Sequence, residues 1–217
     1  MKRVLLTSLF LCLATAAFGQ GKVSLQMDLP IIFGPPGFIL LPPDVAFAGQ
    51  PIPNNGNTLP SHTVLVVGLY GGTSSGSLSL QGTSVINPLG GNGTPDGFFL
   101  VTHIVTTLPP GVLGYFQVKV WDSAYASYEA QAAAGKVGTG LDYSGLNNIF
   151  TMTPGSSISY PPINGGGGST WVSAGNEDVN ALLVTTGPFP EPSALALSAL
   201  GAGMLLTRRR ITRSRKS

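Results

Sequence analysis

Short strands between glycine and proline turns are what most of this chain can build. The 217 residues include 30 glycines and 18 prolines. Between these breakers the apolar residues fall in short runs rich in β-branched side chains. Tyr115-Phe-Gln-Val-Lys-Val-Trp121 alternates with period two: Phe116, Val118 and Val120 face one way, Gln117 and Lys119 the other. His62–Tyr70 and Phe98–Thr106 read as two further strands. Val23–Leu29, Ser77–Gln81, Asn148–Met152 and Asn180–Thr186 are weaker candidates. Strands this short, separated by such turns, predict a mainly β fold: a single antiparallel β-sandwich. One short helix is expected after Trp121, with Ser127 as its cap, Glu129 at its positive end and Gly135 as its stop.

Charge is scarce and unevenly placed. Charged residues are 9% of the chain, against about 25% in an average soluble domain. Between residues 21 and 189 the basic residues are Lys22, Lys119 and Lys136. Eight acids accompany them (Asp28, Asp44, Asp96, Asp122, Glu129, Asp142, Glu177 and Asp178), so the span carries a net −5. Binding nucleic acid needs clustered Lys and Arg on a folded face, and this span has no such cluster. The single cysteine, Cys12, lies in an apolar run near the N-terminus. The middle of the chain therefore has no disulfide and no thiolate metal site.

The two ends read differently from the middle. Lys2 and Arg3 precede an apolar stretch from Val4 to Ala17, and Ala17-Phe18-Gly19 supplies the small-x-small exit that a signal peptidase accepts. Residues 1–19 are thus expected to be a signal peptide cut after Gly19, with a cut after Ala16 as the alternative. The run is too short for a stable membrane span.

At the other end, Pro190-Glu191-Pro192 is followed by an uncharged run, Ser193 to Leu206, and then by Arg208, Arg209 and Arg210. The prolines hold that motif extended, as a protease or transpeptidase cleft requires. The 14 apolar residues span about 21 Å as a helix, short of a hydrocarbon core of about 30 Å. Thr207 and snorkelling arginines can make up the difference. The arginine cluster stays cytoplasmic by the positive-inside rule. The expected organisation is a signal peptide at 1–19, a β passenger at 20–187 and a membrane-anchoring segment at 188–217.

The C-terminal order of motif, apolar run and basic cluster resembles the PEP-CTERM sorting signal of exported bacterial proteins. That resemblance covers residues 190–216. It implies that Pro190, Glu191 and Pro192 are recognised by an exosortase-type membrane protease or transpeptidase. It also implies a place at the cell envelope, the cell surface or outside the cell, and a link to exopolysaccharide and biofilm. A plain stop-transfer anchor is the other reading of the tail. The segment from about Leu108 to Gly138, with its strand ending in Val-Lys-Val-Trp-Asp and its alanine- and tyrosine-rich helix, is similar to one in uncharacterised PEP-CTERM proteins. Leu108-Pro-Pro-Gly111 before Tyr115 is similar to the tyrosine corner of immunoglobulin-like and fibronectin-III-like sandwiches; an ordinary Pro-Gly turn explains it as well.

Catalytic chemistry is hard to place. His62 and His103 lack metal-ligand spacing, and neither a nucleophile elbow nor a P-loop is present. Asp122 and Glu129 are close in sequence, yet Asp122 also suits the start of a helix. Residues 90–97 and 176–180 offer oxygens to calcium, though turn chemistry accounts better for the first. Gly165–Gly168 reads as a flexible connector. No residue is assigned to catalysis, a cofactor or a metal. Trp121, Tyr125, Tyr128, Tyr115 and Trp171 could build a sugar-stacking surface, with Trp121, Tyr125 and Tyr128 as its candidate residues and core packing as the alternative. The expectation is a non-enzymatic surface or matrix protein, with a carbohydrate-binding or adhesive module second and a secreted hydrolase third.

Overall fold

The computed structural model describes residues 19–34, 46–59, 62–134, 143–156, 158–176 and 183–186. Its central strand is the alternating one. β1 (Lys22–Leu25), β2 (Ile32–Phe33), β3 (Leu65–Gly72), β4 (Ser79–Val85), β5 (Thr102–Val105), β6 (Gly114–Asp122), α1 (Tyr128–Ala133), β7 (Tyr143–Leu146), β8 (Phe150–Met152) and β9 (Leu183–Thr186) follow in order. Phe116, Val118 and Val120 of β6 are fully buried, as are Leu65, Val67 and Leu69 of the antiparallel neighbour β3. Both strands therefore turn one apolar face to the same core.

The larger sheet has seven strands. Six run in the order β2-β9-β7-β6-β3-β4, and β8 also pairs with β6. Neighbours are antiparallel except β2 and β9, which are parallel. A second, two-stranded sheet pairs β1 with β5. Val23 and Leu25 of β1 and Ile104 of β5 point into the core shared with Val67, Phe116, Val118, Phe150 and Trp171. The two sheets are joined on both flanks. On one, the chain after β8 bridges to β1, with Lys22 opposite Gly155 and Ser24 opposite Pro162. On the other, Gln81 Oε1 accepts from the Thr107 amide at 2.7 Å, Ser84 donates to the Leu100 carbonyl at 3.3 Å, and the Ile104 side chain closes over Gly82.

β7 and β8 are two halves of one strand broken by a bulge. Phe116 pairs with Phe150, whereas Lys119 pairs with Leu146, so three residues (147–149) face two on β6. Asparagines repair the ladder. Asn147 Oδ1 accepts from the buried Val118 amide at 2.8 Å. Asn176 accepts from the Asn148 amide and donates to its carbonyl, both at 3.1 Å, like a strand residue.

The mainly β, largely antiparallel character with one short helix is as expected, and Ser127 caps α1 by accepting from the Ala130 amide at 3.1 Å. Several details differ. β4 runs on to Val85, because it is zipped to β3 along most of its length, with one register shift between Leu69 and Tyr70. β2 and β7 were not expected. Gly165–Gly168 is not a loose connector: a Cβ on Gly167 (φ +60) would lie 2.3 Å from the Thr153 carbonyl, and the Thr153 amide donates to the Gly167 carbonyl at 2.8 Å. Glycine is needed there for a close backbone approach. Tyr115 faces outward with Gln117 and Lys119. Among the described residues its hydroxyl makes no hydrogen bond, so no tyrosine corner forms there. No described helix is long and apolar enough to cross a membrane.

Candidate functional site

α1 packs on the outer face of β3 and β6, where the expected aromatic surface lies. Glycine makes room for it. Gly68 of β3 has no side chain, and the Trp121 indole lies across it: a Cβ there would sit 2.5 Å from Cη2 and Cζ3. Trp121 is only 1% exposed. Its Nε1 donates to the Tyr125 carbonyl at 3.1 Å, and its ring meets Tyr70 edge-on at 6.3 Å. Gln131 of α1 is wholly buried; it accepts from the Asp122 amide and donates to the Tyr143 carbonyl, tying the helix to β6 and β7.

The remaining rings surround a lysine. Lys119 Nζ lies 4.1 Å from the Tyr70 ring centroid, 5.0 Å from that of Tyr128, and 2.6 Å from Glu129 Oε1. The Tyr70 hydroxyl donates to Glu129 Oε2 at 2.6 Å. Burial, reinforced by the Glu129 carboxylate, raises the Tyr70 hydroxyl well above its ordinary range. Burial raises Tyr128 too, with the Glu129 charge second. For Glu129, burial pushes upward, but hydrogen bonds from Lys119 and Tyr70 outweigh it and hold the carboxyl below its usual value. Trp121, Tyr125 and Tyr128 are thus brought together, with Tyr125 and Tyr128 half-buried. Trp121 offers no open ring face, because the sequence places it opposite a glycine and beneath a helix. Trp171 is buried too, edge-on to Phe150 at 5.0 Å. The group pins α1 to the sheet.

Asp122 and Glu129 have separate partners. Asp122 ends β6 and accepts from the Ala124 amide at 2.9 Å. In the 90–97 loop, Asn92 Oδ1 accepts from the Thr94 amide and hydroxyl, and Asp96 accepts from the Asn54 amide. That is turn chemistry. Of 176–180 only Asn176 is described, and it serves the bulge. Among the described residues no three His, Cys, Asp or Glu side chains gather to hold a metal. His62 sits in a left-handed turn before β3 (φ 52), and His103 is on β5.

A ring stack that sequence reasoning missed lies on the outer face of the β1–β5 sheet. The exposed His103 stacks on Tyr160 with centroids 4.5 Å apart and planes 16° from parallel, and Lys22 Nζ is 5.2 Å from the Tyr160 ring. A polar chain continues along this face: Ser24 donates to Gln26, Gln26 to Asn164, and Asn164 to Asp28. Tyr160 stands in a proline-rich stretch with no periodicity; only its pairing with β1, more than 130 residues earlier, gives it a face.

Of the expected processing residues, Gly19 is described and exposed, as is Gln20. Ala17, Pro190, Glu191, Pro192, Arg208, Arg209 and Arg210 lie outside the described residues. The fold thus defines a mainly antiparallel β domain carrying one pinned helix. Compared with known protein families, curated proteins and solved structures, the chain has no match.

Proposed function

We propose that this chain is an exported, non-enzymatic cell-surface or extracellular-matrix protein. Its β domain is released from a signal peptide after Gly19 and sorted through Pro190-Glu191-Pro192 by an exosortase-type system, in a setting of exopolysaccharide and biofilm. The signal helix and the hydrophobic C-terminal helix are part of this reading. The observation that carries it is where the described paired backbone begins and ends. Gly19 and Gln20 are exposed, whereas Gly21 already donates to the Leu108 carbonyl at 2.6 Å and accepts from the Thr106 amide at 2.7 Å. The last described strand ends at Thr186, four residues before Pro190. A cut at either expected site leaves every described ladder intact. The domain itself reads as one antiparallel sandwich of immunoglobulin or fibronectin-III type, supported by the core that the two sheets share.

A carbohydrate-binding role is the second reading, and the stack of half-buried Tyr160 on exposed His103, with its amide and carboxylate neighbours, favours it. Affinity electrophoresis through soluble exopolysaccharide tests it: Tyr160→Ala abolishes retardation if the stack binds sugar.

Export and sorting are tested by purifying the protein from its native envelope and medium and measuring both mature ends by intact mass. A start at Gln20 with loss of the apolar tail near residues 190–192 is the expected result. A chain retaining Ser217 makes the tail a plain anchor, and one retaining Met1 removes the export reading.

A further inference from the structure

At one end of the domain, two uncharged loops carry exposed apolar side chains. The connection from β5 to β6 ends in Val112 and Leu113, 49% and 55% exposed, and the loop after β8 carries Ile158, 92% exposed. The two loops are tied at their bases, where the Gly111 amide donates to the Pro154 carbonyl at 3.0 Å. Neither residues 107–113 nor 154–163 include an Asp, Glu, Lys or Arg. The described carboxylates belong to other parts of the chain. Asp28 follows the far end of β1, Asp96 precedes β5, Asp122 closes the far end of β6, and Glu129 is bound to Lys119. Behind the apolar tip stand Lys22 and Tyr160, a cation over a ring.

The N-terminus leaves from this same end, since Gly21 pairs with Thr106 and Leu108, just before the tip loop. Thr186, the last described residue of β9, is opposite Tyr143, toward the other end of β6, where Ser144 faces Trp121. Gly21 is four Cα steps from Ala17, and an extended chain of that length reaches about 14 Å at most. With residues 4–17 in a bilayer, Gly21 and the tip beside it are held at the bilayer surface.

We propose that Val112, Leu113 and Ile158 form a bilayer-docking tip that seats the Gly19–Gln20 bond at the membrane face while the signal peptide is attached. This rests on the export reading, which puts residues 4–17 in lipid. Lipid suits the tip because protruding apolar side chains on uncharged loops enter the interface, while Lys22 and Tyr160 have the chemistry of an interfacial collar. The four described carboxylates lie elsewhere, away from an anionic surface.

The test uses the full-length chain with Cys12→Ser and one new cysteine, Ile158→Cys or Ser123→Cys, carrying an environment-sensitive fluorophore. The chain is reconstituted into phosphatidylethanolamine–phosphatidylglycerol vesicles containing a shallow nitroxide quencher. The label at 158 is expected to lose emission about twofold or more, as for a group placed roughly 5–10 Å into the headgroup boundary. The label at 123, near the opposite end of β6 where Thr186 leads toward the tail, is expected to lose clearly less emission than the label at 158. Failure of the chain to float with vesicles removes the export reading. Flotation with no quenching at 158, or with equal quenching at 123, removes the docking tip alone. In cells, the triple substitution Val112→Ser, Leu113→Ser and Ile158→Ser, all at exposed positions, is expected to slow conversion of precursor to mature form several-fold in a pulse-chase. An unchanged rate overturns the seating role.

Discussion

Gly68→Ala tests whether Trp121 is enclosed as described. Gly68 sits mid-strand in β3, with Lys119 of β6 and Thr83 of β4 as its partners. A Cβ added there meets Trp121 at 2.5 Å and Leu80 Cδ1 at 2.9 Å. Leu80 is partly exposed and can turn away. The indole cannot move without lengthening its 3.1 Å bond to the Tyr125 carbonyl and shifting against Tyr70. Overpacking of this kind costs about 1–3 kcal/mol. Loss of glycine freedom in the unfolded chain returns about 0.4–1 kcal/mol. The net is a destabilisation of about 1–2 kcal/mol, or a melting point lower by roughly 2–8 °C for a domain of this size.

The double-mutant cycle makes the reasoning specific. Trp121→Ala alone costs about 3–5 kcal/mol. In that background the added methyl meets no ring, so Gly68→Ala becomes neutral or stabilising by up to about 1 kcal/mol. Urea unfolding followed by far-ultraviolet circular dichroism reads all four proteins without depending on indole fluorescence. An equal cost of Gly68→Ala with and without Trp121, or no cost in the wild type, refutes the enclosure of Trp121 against β3.

Two further predictions concern polar groups. Glu129 titrates below its ordinary range in the folded state, so its contribution is present above the unfolded value of about 4.3 and is lost as pH falls through the lower folded value. Glu129 is half exposed, so this contribution is below about 1 kcal/mol. Between about pH 5 and pH 3 the wild type should lose urea stability more steeply than Glu129→Gln; coincident pH profiles would show that the Lys119 and Tyr70 bonds do not hold the carboxylate. Asn147→Ala leaves the buried Val118 amide without its acceptor, at a cost of about 1–3 kcal/mol. Faster hydrogen exchange at Val118 is the matching local signal, and unchanged exchange there would mean that the side chain does not bridge the bulge.

Strands of both sheets are legible in the sequence where the pattern is local. β6 is readable from five alternating residues, and β3 and β5 are legible to within a few residues because their β-branched runs need a buried face. Ser127 was recognised as a cap because a helix start is written in three or four adjacent residues. β2 is two residues long, and it exists because the backbone of Ile32 and Phe33 pairs with that of Leu183 and Val184, 151 positions later. β7 contains Ser144 and Gly145, which have no strand preference and are placed by their partners on β6 and β9. No window of the sequence holds that information.

The aromatic surface shows the same limit at the level of side chains. The spacing of Trp121, Tyr125 and Tyr128 placed them near one another, and they are. Whether such rings meet solvent or one another depends on what lies opposite, and here that is Gly68, Tyr70 and Lys119. A glycine across the strand is a cavity for an indole, and a tyrosine beside a lysine with a carboxylate above it closes that cavity to ligands. The stack of exposed His103 on half-buried Tyr160 comes from a strand and a proline-rich loop that share no pattern. A search for binding on this domain should therefore begin on the β1–β5 face and at the Val112–Ile158 tip, where side chains lack the glycine beneath and the helix above that enclose Trp121.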